Sequence, residues 1–413
     1  MVSKLTHRIS NPLVMNSFYL YMAHFADYLL LLLVLPFIAR ALGPISLGNI
    51  GLAQTFGLLV MLSLEFGFSI TATRTVALNQ NDKSKNQQLA GKVFSFKIYL
   101  IPIVILFTFV IILIHPIFFN QPELIIISVL AAIFQSFVPS WYFQGIENFK
   151  QLAVVKIIFR VLAFCTALII VKTPSDGWLF LIVQASSSFF IAVVLLFLMV
   201  KNIGTIKFQR WIEIQTILKS SSSGFFILVL PTVFNNISIF LLSYLISPLL
   251  LGYYYGVSRI HRAFNTLYSP MFDSFFPHLI STYQKDHKKA YNETILFNFI
   301  ILILGCCFAL IIWFFSETMI STFLGKAFIP SANYLRAFGL LLPIPVISYI
   351  WGNQWMIILQ KEEKLSKILL ISNLIGVVCL LLTVSILEIF AIPLSIALSE
   401  LIKLILIIKS LKK

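Results

Sequence analysis

Charged residues are scarce in this sequence of 413 residues. Asp, Glu, Lys and Arg make up 11% of it, whereas a soluble domain has about 25%. Hydrophobic residues make up 59%, in runs of about 20 residues without the alternation typical of a membrane β-barrel. The composition excludes a soluble globular domain and predicts an all-α integral membrane protein.

Cysteine is rare as well, and none of the cysteines has CxxC spacing or a neighbouring histidine. The four residues all lie in apolar runs: Cys165, Cys306, Cys307 and Cys379. We therefore expect no disulfide framework, metal site or cofactor. The Walker A, HExxH and GxSxG motifs are also missing, which excludes an ATP-driven pump within this chain and leaves no recognisable catalytic motif.

The net charge of +15 does not indicate a nucleic-acid partner, because the basic residues lie in short loops between apolar runs. With the N-terminus inside, 24 of the 30 Lys and Arg residues fall on the cytoplasmic side and three on the other. This asymmetry predicts both termini inside. It also predicts twelve membrane spans, at roughly 14–38, 46–72, 93–114, 122–143, 152–171, 178–200, 221–246, 252–278, 292–315, 333–357, 366–387 and 390–409.

The chain divides into two similar halves. Pro44-x-x-x-Gly48 precedes the second span and Pro248-x-x-x-Gly252 precedes the eighth. Repeats at equivalent places suggest two six-helix lobes in the same orientation, with substrate sites between such lobes. The predicted organisation is an N-terminal lobe at 1–200, a cytoplasmic linker at 201–220 and a C-terminal lobe at 221–413.

The linker has apolar residues at helical spacing. They are Trp211, Ile214, Ile217 and Leu218. This pattern favours a short helix in the membrane interface, and a plain polar linker is the alternative. The outer loops are short, the longest running from about Ser316 to Ala332, which disfavours a membrane-embedded glycosyltransferase or polymerase.

The eighth span is unusual because it carries two arginines one helical turn apart. Placed on one helix, five polar residues share a face, and His261 points elsewhere. The five are Tyr255, Arg259, Arg262, Thr266 and Asp273. An ionised group facing lipid costs about 2.5–3.5 kcal/mol. The stripe therefore predicts either the wall of a cavity that binds phosphate or a structural ion-pair network between helices.

A carboxylate lies at a similar depth in the first span. Asp27, with His24 one turn before it, is expected to pair with Arg259 or Arg262. Coupling to a proton or cation, and exposure to water, are the alternatives. Two further polar residues lie in the seventh span and could line the same space or bond across helices: Asn235 and Asn236.

The remaining charged residues are less informative about function. Glu65 and Arg74 are expected to meet solvent or headgroups, and Lys97 is counted with the cytoplasmic loops. Glu400 and Lys403, three residues apart, are expected to pair.

Three stretches carry a family resemblance. The run from Ala39 to Ala77 contains LGP-x3-G at Leu42–Gly48 and EFGF-x4-TR at Glu65–Arg74. The others are LGYYYGVSRI at Leu251–Ile260 and WYFQGIENFK at Trp141–Lys150. In order and spacing they resemble the Wzx-type polysaccharide repeat-unit flippases of the multidrug/oligosaccharidyl-lipid/polysaccharide exporter superfamily.

The resemblance implies a flippase in a bacterial inner membrane that feeds O-antigen or capsule assembly. Its substrate would be oligosaccharide linked to undecaprenyl pyrophosphate, moved to the periplasmic leaflet by alternating access between two lobes. A polysaccharide polymerase and a chain-length regulator are implied partners. The family's cationic cavity carries over to Arg259 and Arg262 alone, because the third and ninth spans offer no deep Lys or Arg. The rival is a cation-coupled multidrug exporter, which the two arginines disfavour.

Overall fold

The computed structural model describes residues 12–80, 82–224, 236 and 239–411. Its description excludes the side chains of residues 12–21, 23–32, 216, 219–220, 222–224, 269–270, 273 and 277. Two compact units are present: the N-terminal unit (Met1–Leu42 and Asn49–Asn236) and the C-terminal unit (Gly43–Gly48 and Ile237–Lys413). The predicted lobes at 1–200 and 221–413 remain a prediction.

The long first helix, α1, contributes to both units because residues 43–48 belong to the C-terminal one. The helices up to residue 224 are α1 (Pro12–Glu65), α2 (Phe68–Leu78), α3 (Lys83–Ile114), α4 (Pro116–Asn120), α5 (Pro122–Ser136), α6 (Ser140–Gly145), α7 (Phe149–Ile170), α8 (Gly177–Ile203) and α9 (Trp211–Gly224). A short 3₁₀ turn, Pro174–Asp176, precedes α8.

The C-terminal unit is also helical. Its described helices are α10 (Pro248–Thr266), α11 (Ser269–Lys285), α12 (His287–Phe323), α13 (Ala332–Gly339), α14 (Ile344–Ser348), α15 (Glu362–Leu387) and α16 (Ala391–Leu411). A π-helix at Tyr349–Met356 continues α14, and 3₁₀ turns lie at Lys326–Ser331 and Glu388–Phe390.

Local backbone chemistry explains where α1 changes direction. Gly43 has a φ of 70° and a ψ of 175° inside α1, a conformation that glycine adopts readily. This break lies between the predicted first and second spans. A second break follows Glu65, where Phe66 has a φ of 40° and Gly67 a φ of 75°. A positive φ is uncommon for a bulky residue such as phenylalanine.

Membrane-spanning helices are present, although the predicted number is not established. Among the described residues, eight helical stretches are long and apolar enough to cross a membrane. Two of them, Leu33–Leu78 with 46 residues and Glu362–Leu411 with 50 residues, are more than twice as long as the roughly 20 residues that one crossing needs. Twelve spans therefore remain a prediction.

Four predicted spans are interrupted within their bounds: 46–72, 122–143, 252–278 and 333–357. The expectation that the eighth span is a single helix was wrong. The eighth span, 252–278, is divided by a turn at Leu267 and Tyr268 between α10 and α11. Pro270 in the first turn of α11 has no N–H to continue the α10 hydrogen-bond pattern. The tenth span, 333–357, is divided into α13, α14 and the π-helix, with Pro343 and Pro345 at the junction.

The linker contains the predicted helix, which packs onto the N-terminal unit. Ile214 and Ile217 of α9 are 0% and 8% exposed. They join the apolar core formed with residues of α2, α3, α6 and α8. Apolar spacing thus identified the helix, whereas the packing of Ile214 and Ile217 against the protein was not predicted.

Candidate functional site

The arginine-bearing helix, α10, begins with a sequence that fixes its start. The Ser247 side chain accepts a hydrogen bond from the Leu250 N–H at 3.3 Å, and Pro248 occupies the first turn. Both features are typical of a helix N-terminus. The residues from Leu251 to Val257 are buried, so the first half of α10 lies inside the C-terminal unit.

The two Pro-x-x-x-Gly repeats meet at this helix start. A Cβ on Gly252 would lie 1.8 Å from the Pro44 carbonyl oxygen. A Cβ on Gly48 would lie 2.6 Å from both the Pro248 carbonyl oxygen and the Gly252 nitrogen. Each glycine thus allows the other motif's backbone to approach, and residues 43–48 are held against α10.

The second half of α10 carries the cationic side chains. Arg259 is half-buried and Arg262, one turn later, is exposed. Their charges lie within electrostatic range of each other, so the helix concentrates positive charge on one face. Thr266, on the same face, donates its hydroxyl to the Arg262 carbonyl oxygen at 2.9 Å. Guanidinium groups in this arrangement suit an anion with several oxygens, such as a phosphate.

His261 lies on a different side of α10. Its ring packs against Phe338 of α13 at 5.4 Å between centroids. The Asn265 amide nitrogen lies 3.1 Å from the His261 Nε2 atom. His261 therefore belongs to the packing between α10 and α13 and not to the arginine face.

The structure describes only some of the other predicted site residues. Tyr255, one turn before Arg259, is 8% exposed and lies within electrostatic range of Arg259. Asn236 is part-buried. The remaining predicted residues, or their side chains, lie outside the described part of the chain: His24, Asp27, Asn235 and Asp273.

Sequence reasoning missed a buried cation in the N-terminal unit. Lys97 was expected in a cytoplasmic loop, and the third span was expected to lack a deep Lys. Instead Lys97 lies within α3 and is 1% exposed. Its Nζ atom donates to the Ser136 carbonyl oxygen and lies 5.7 Å from the centroid of the Phe94 ring. The signal was present in the sequence, because Lys97 follows apolar Phe94 and Phe96 inside the predicted span.

The carboxylate of Glu65 lies within electrostatic range of this lysine. Glu65 ends α1 just before the positive-φ Phe66, and it is part-buried. Its charge acts on Lys97 and Lys156. Arg74 is exposed and Glu65 is part-buried, and the expectation that solvent or headgroups reach Glu65 stays a prediction. The EFGF segment thus contains both the helix break and the part-buried carboxylate of Glu65.

A second polar cluster lies in the C-terminal unit. The predicted pair of Glu400 and Lys403 is present at 2.5 Å, with each side chain less than one-fifth exposed. The Ser348 hydroxyl, at the end of α14, donates to the other carboxylate oxygen of Glu400. This network joins α16 to α14 and satisfies its own charges.

Two solved structures share the fold of this chain. The lipid II flippase MurJ in an inward closed conformation matches with a TM-score of 0.68, over 96% of this chain and 87% of that chain, at 15% identity. An inward-facing multidrug resistance MATE family transporter of the MOP superfamily matches with a TM-score of 0.65, over 95% of this chain and 93% of that chain, at 13% identity. At such low identity, these matches establish the fold alone.

Two relatives in sequence carry the same name. A protein of Escherichia coli (strain K12) named "Putative O-antigen transporter" is 25% identical over 370 residues, which cover 87% of each chain. A protein of Shigella dysenteriae with the same name is 23% identical over 365 residues, 87% of this chain and 90% of that one. The family model described as "Polysaccharide biosynthesis protein" matches residues 13–284, a range that includes α10 and both of its arginines. The chain belongs to this polysaccharide biosynthesis protein family.

Proposed function

We propose that this chain is a flippase that moves oligosaccharide repeat units linked to undecaprenyl pyrophosphate from the cytoplasmic to the periplasmic leaflet of a bacterial inner membrane. The observation that carries the proposal is the cationic face of α10, with exposed Arg262 one turn from half-buried Arg259. Family membership and the O-antigen transporter relatives support a lipid-linked glycan as the cargo.

The proposed chemistry is recognition without reaction. A pyrophosphate carries several oxygens and more than one negative charge, and each guanidinium can bind two of these oxygens at once. Two guanidinium groups one turn apart would attract the head of the carrier more strongly than either group alone. The sugars would cross through an aqueous path, and the polyprenyl chain would stay in lipid.

Alternating access is the proposed mode of movement. The substrate head would bind in one conformation and leave in another, and binding would shift the population between them. Fold relatives described in inward-facing and inward closed conformations support a protein that changes shape during transport. A polysaccharide polymerase that extends the delivered units, and a chain-length regulator, are proposed partners.

The test uses a strain that lacks this gene and carries a plasmid copy with Arg259→Ala, Arg262→Ala or no change. We expect lipid-linked repeat units to accumulate on the cytoplasmic leaflet without the plasmid and to be cleared by the unchanged copy. Each arginine variant should reduce clearance at least tenfold, because each removes a charge-assisted contact worth about 1.5–3 kcal/mol. Arg262→Lys should recover part of the activity, since it keeps the charge and loses the bidentate geometry.

Lys288→Ala is the matched control, because Lys288 is an exposed cation of the C-terminal unit outside α10. It should leave clearance unchanged. Membrane levels of every variant are measured by immunoblot. Normal levels and full clearance by both arginine variants would contradict the anion-binding role, and loss of both proteins from the membrane would favour a structural ion-pair network.

A cation-coupled multidrug exporter is the second candidate, and the multidrug transporter among the fold relatives favours it. The same strain distinguishes the two functions. Unchanged lipid-linked intermediates together with altered resistance to cationic drugs would support export of drugs.

A further inference from the structure

The connection between α8 and α9 follows the surface of α3. We call this segment, residues 204–212, the strap. The Gln87 side chain of α3 donates to the Thr205 carbonyl oxygen. Two turns further along α3, the Ser95 hydroxyl accepts a hydrogen bond from the Gln209 N–H at 2.8 Å. These two contacts fix the strap at both ends of its path along α3.

The middle of the strap approaches α3 closely, and its end packs onto aromatic rings. A Cβ on Gly91, between the two polar contacts, would lie 2.6 Å from the Lys207 carbonyl oxygen. One turn beyond Ser95, the Tyr99 ring contacts Phe208 at 5.0 Å and Trp211 at 5.6 Å between centroids. The strap is therefore an ordered part of the N-terminal unit.

The outer side of this ordered segment is both apolar and basic. Phe208, Trp211 and Ile212 are 57%, 44% and 78% exposed. Cationic side chains interleave with them or precede them, and all are exposed: Lys201, Lys207 and Arg210. Glu213 is the one acidic residue between Lys201 and the end of α9. The surface thus offers large apolar groups beside an excess of positive charge.

The opposite side of α9 is already used within the protein. Ile214 and Ile217 are buried in the core of the N-terminal unit. The Ser221 and Thr71 hydroxyl oxygens lie 2.6 Å apart. This buried side holds α9 in place. The packing of α9 and the contacts of the strap therefore orient Ile212 and Phe208 outward.

We propose that the strap and the first turn of α9 form a binding surface for anionic phospholipid headgroups of the cytoplasmic leaflet. Lys207 and Arg210 bind the headgroup phosphates, and Phe208, Trp211 and Ile212 enter the boundary between headgroups and acyl chains. Interfacial segments combine these two residue classes, and each Lys or Arg near an anionic membrane surface adds to the attraction. The positive-inside distribution places this connection on the cytoplasmic side.

The alternation along the segment favours lipid over a soluble acidic partner. In the run KFQRWI, at 207–212, cations and large apolar groups alternate and are exposed together. A membrane interface offers charge and apolar material within a few ångströms of each other, whereas an acidic protein or nucleic acid would leave Ile212 in water. The inference does not depend on which molecule the protein transports.

The test places the purified full-length protein in phosphatidylcholine nanodiscs that contain a small amount of photoreactive phosphatidylglycerol. After illumination, peptide mass spectrometry locates the labelled residues. We expect adducts within the strap and the first turn of α9. The double variant K207Q/R210Q should lower this labelling roughly tenfold at sub-saturating lipid, because it removes two cations from the anionic surface.

The matched control is K288Q/K289Q, which removes an exposed basic pair of the C-terminal unit and should leave strap labelling unchanged. The variant F208S/I212S should lower labelling by photoreactive phosphatidylcholine and phosphatidylglycerol alike. Since all these side chains are exposed, unchanged size-exclusion profiles are expected. Equal strap labelling by both lipids in the unchanged protein, undiminished labelling of K207Q/R210Q, or adducts confined to α10 would overturn the proposal.

Discussion

Charged side chains inside the helices differ in what they contact. Three are held by protein groups: Lys97 by the Ser136 carbonyl, Arg336 by Glu317 and Lys403 by Glu400. Arg262 is exposed, and no carboxylate pairs with it among the described side chains. Among these described side chains, Arg262 thus differs from the three cations that protein groups hold.

A substitution of Lys97 tests whether a cation that protein groups hold stabilises the protein. Lys97→Met keeps most of the side-chain volume but removes the charged hydrogen bond to Ser136 and the cation near Glu65. We expect it to lower stability by about 1–3 kcal/mol, the cost of losing a charge-assisted hydrogen bond at a buried site. Thermal unfolding of the purified protein in detergent measures the effect.

The control is Lys85→Met in the first turn of the same helix. Lys85 is exposed and pairs with Asp82 at 3.3 Å, and solvent screens the attraction in such an exposed pair. Equal stability of the two variants would mean that Lys97 does not hold α3 to α5.

Spacing predicted some of these residues and missed others. Glu400 and Lys403 lie three apart on one helix, and that distance alone brings them together. Spacing alone does not give the direction of the Lys97 side chain, because a long lysine side chain near a span end can extend to water or turn inward. The three-dimensional position of Ser136, 39 residues away, decides between these directions.

At the scale of elements, the two copies of the Pro-x-x-x-Gly motif were visible in the sequence, but the contact between them was not. The spacing indicated two related helix starts. The structure adds that Gly48 and Gly252 allow the two backbones to meet, which no pattern within either segment implies. Small residues at such crossings are common where membrane helices approach closely.

Gly252→Ala should therefore disrupt the C-terminal unit. Its Cβ would lie 1.8 Å from a backbone oxygen of Pro44, so the backbone must move and relaxation of a side chain is not enough. We expect a cost above about 3 kcal/mol, at the upper end for overpacking. Size-exclusion chromatography of a fluorescent fusion should show loss of the monodisperse peak.

Gly376→Ala is the matched control in the same unit. Its Cβ would lie 3.1 Å from the Ser399 side chain, a contact that a small shift relieves, and alanine favours the helix more than glycine does. A normal peak for this variant is expected. A normal peak for Gly252→Ala as well would show that the contact between the motifs is loose.

The helices themselves follow from composition, whereas their interruptions do not. Long apolar runs predicted most helical stretches, and the spacing of Ile214 and Ile217 predicted α9. The turn before Pro270 and the π-helix at Tyr349–Met356 were missed because spans tolerate proline when neighbouring groups satisfy the backbone. Gln354 of the π-helix donates to the Phe272 carbonyl oxygen at 3.1 Å, a tertiary contact that joins the interruption to α11.

At the scale of the whole molecule, the all-α fold was predicted from composition and the family resemblance from the order of short motifs, and two solved structures share the fold. The number of crossings is a separate question. The stretch Glu362–Leu411 contains α15 and α16, which pack against each other. Between them the chain turns at Glu388, which has a φ of 49°. A tight reversal between two apolar helices is the geometry that two crossings of this stretch would require.

Single-cysteine labelling in intact cells tests this topology. In a background with the four native cysteines replaced by serine, each variant is treated with a membrane-impermeant thiol reagent. Lys326→Cys and Glu388→Cys should be labelled from outside, whereas Lys288→Cys and Lys364→Cys should react only after permeabilisation. All four positions are exposed, so failure to react reports the side of the membrane and not burial.

The pair Lys364 and Lys409, both exposed, decides between one and two crossings when Lys409→Cys is added to the set. If Glu362–Leu411 crossed once, residues 364 and 409 would lie on opposite sides, and Lys409→Cys would react in intact cells. If it crosses twice, both ends share the cytoplasmic side and only the turn at Glu388 is reached from outside. The excess of lysines at both ends of this stretch and their scarcity at its turn favour the second outcome by the positive-inside rule.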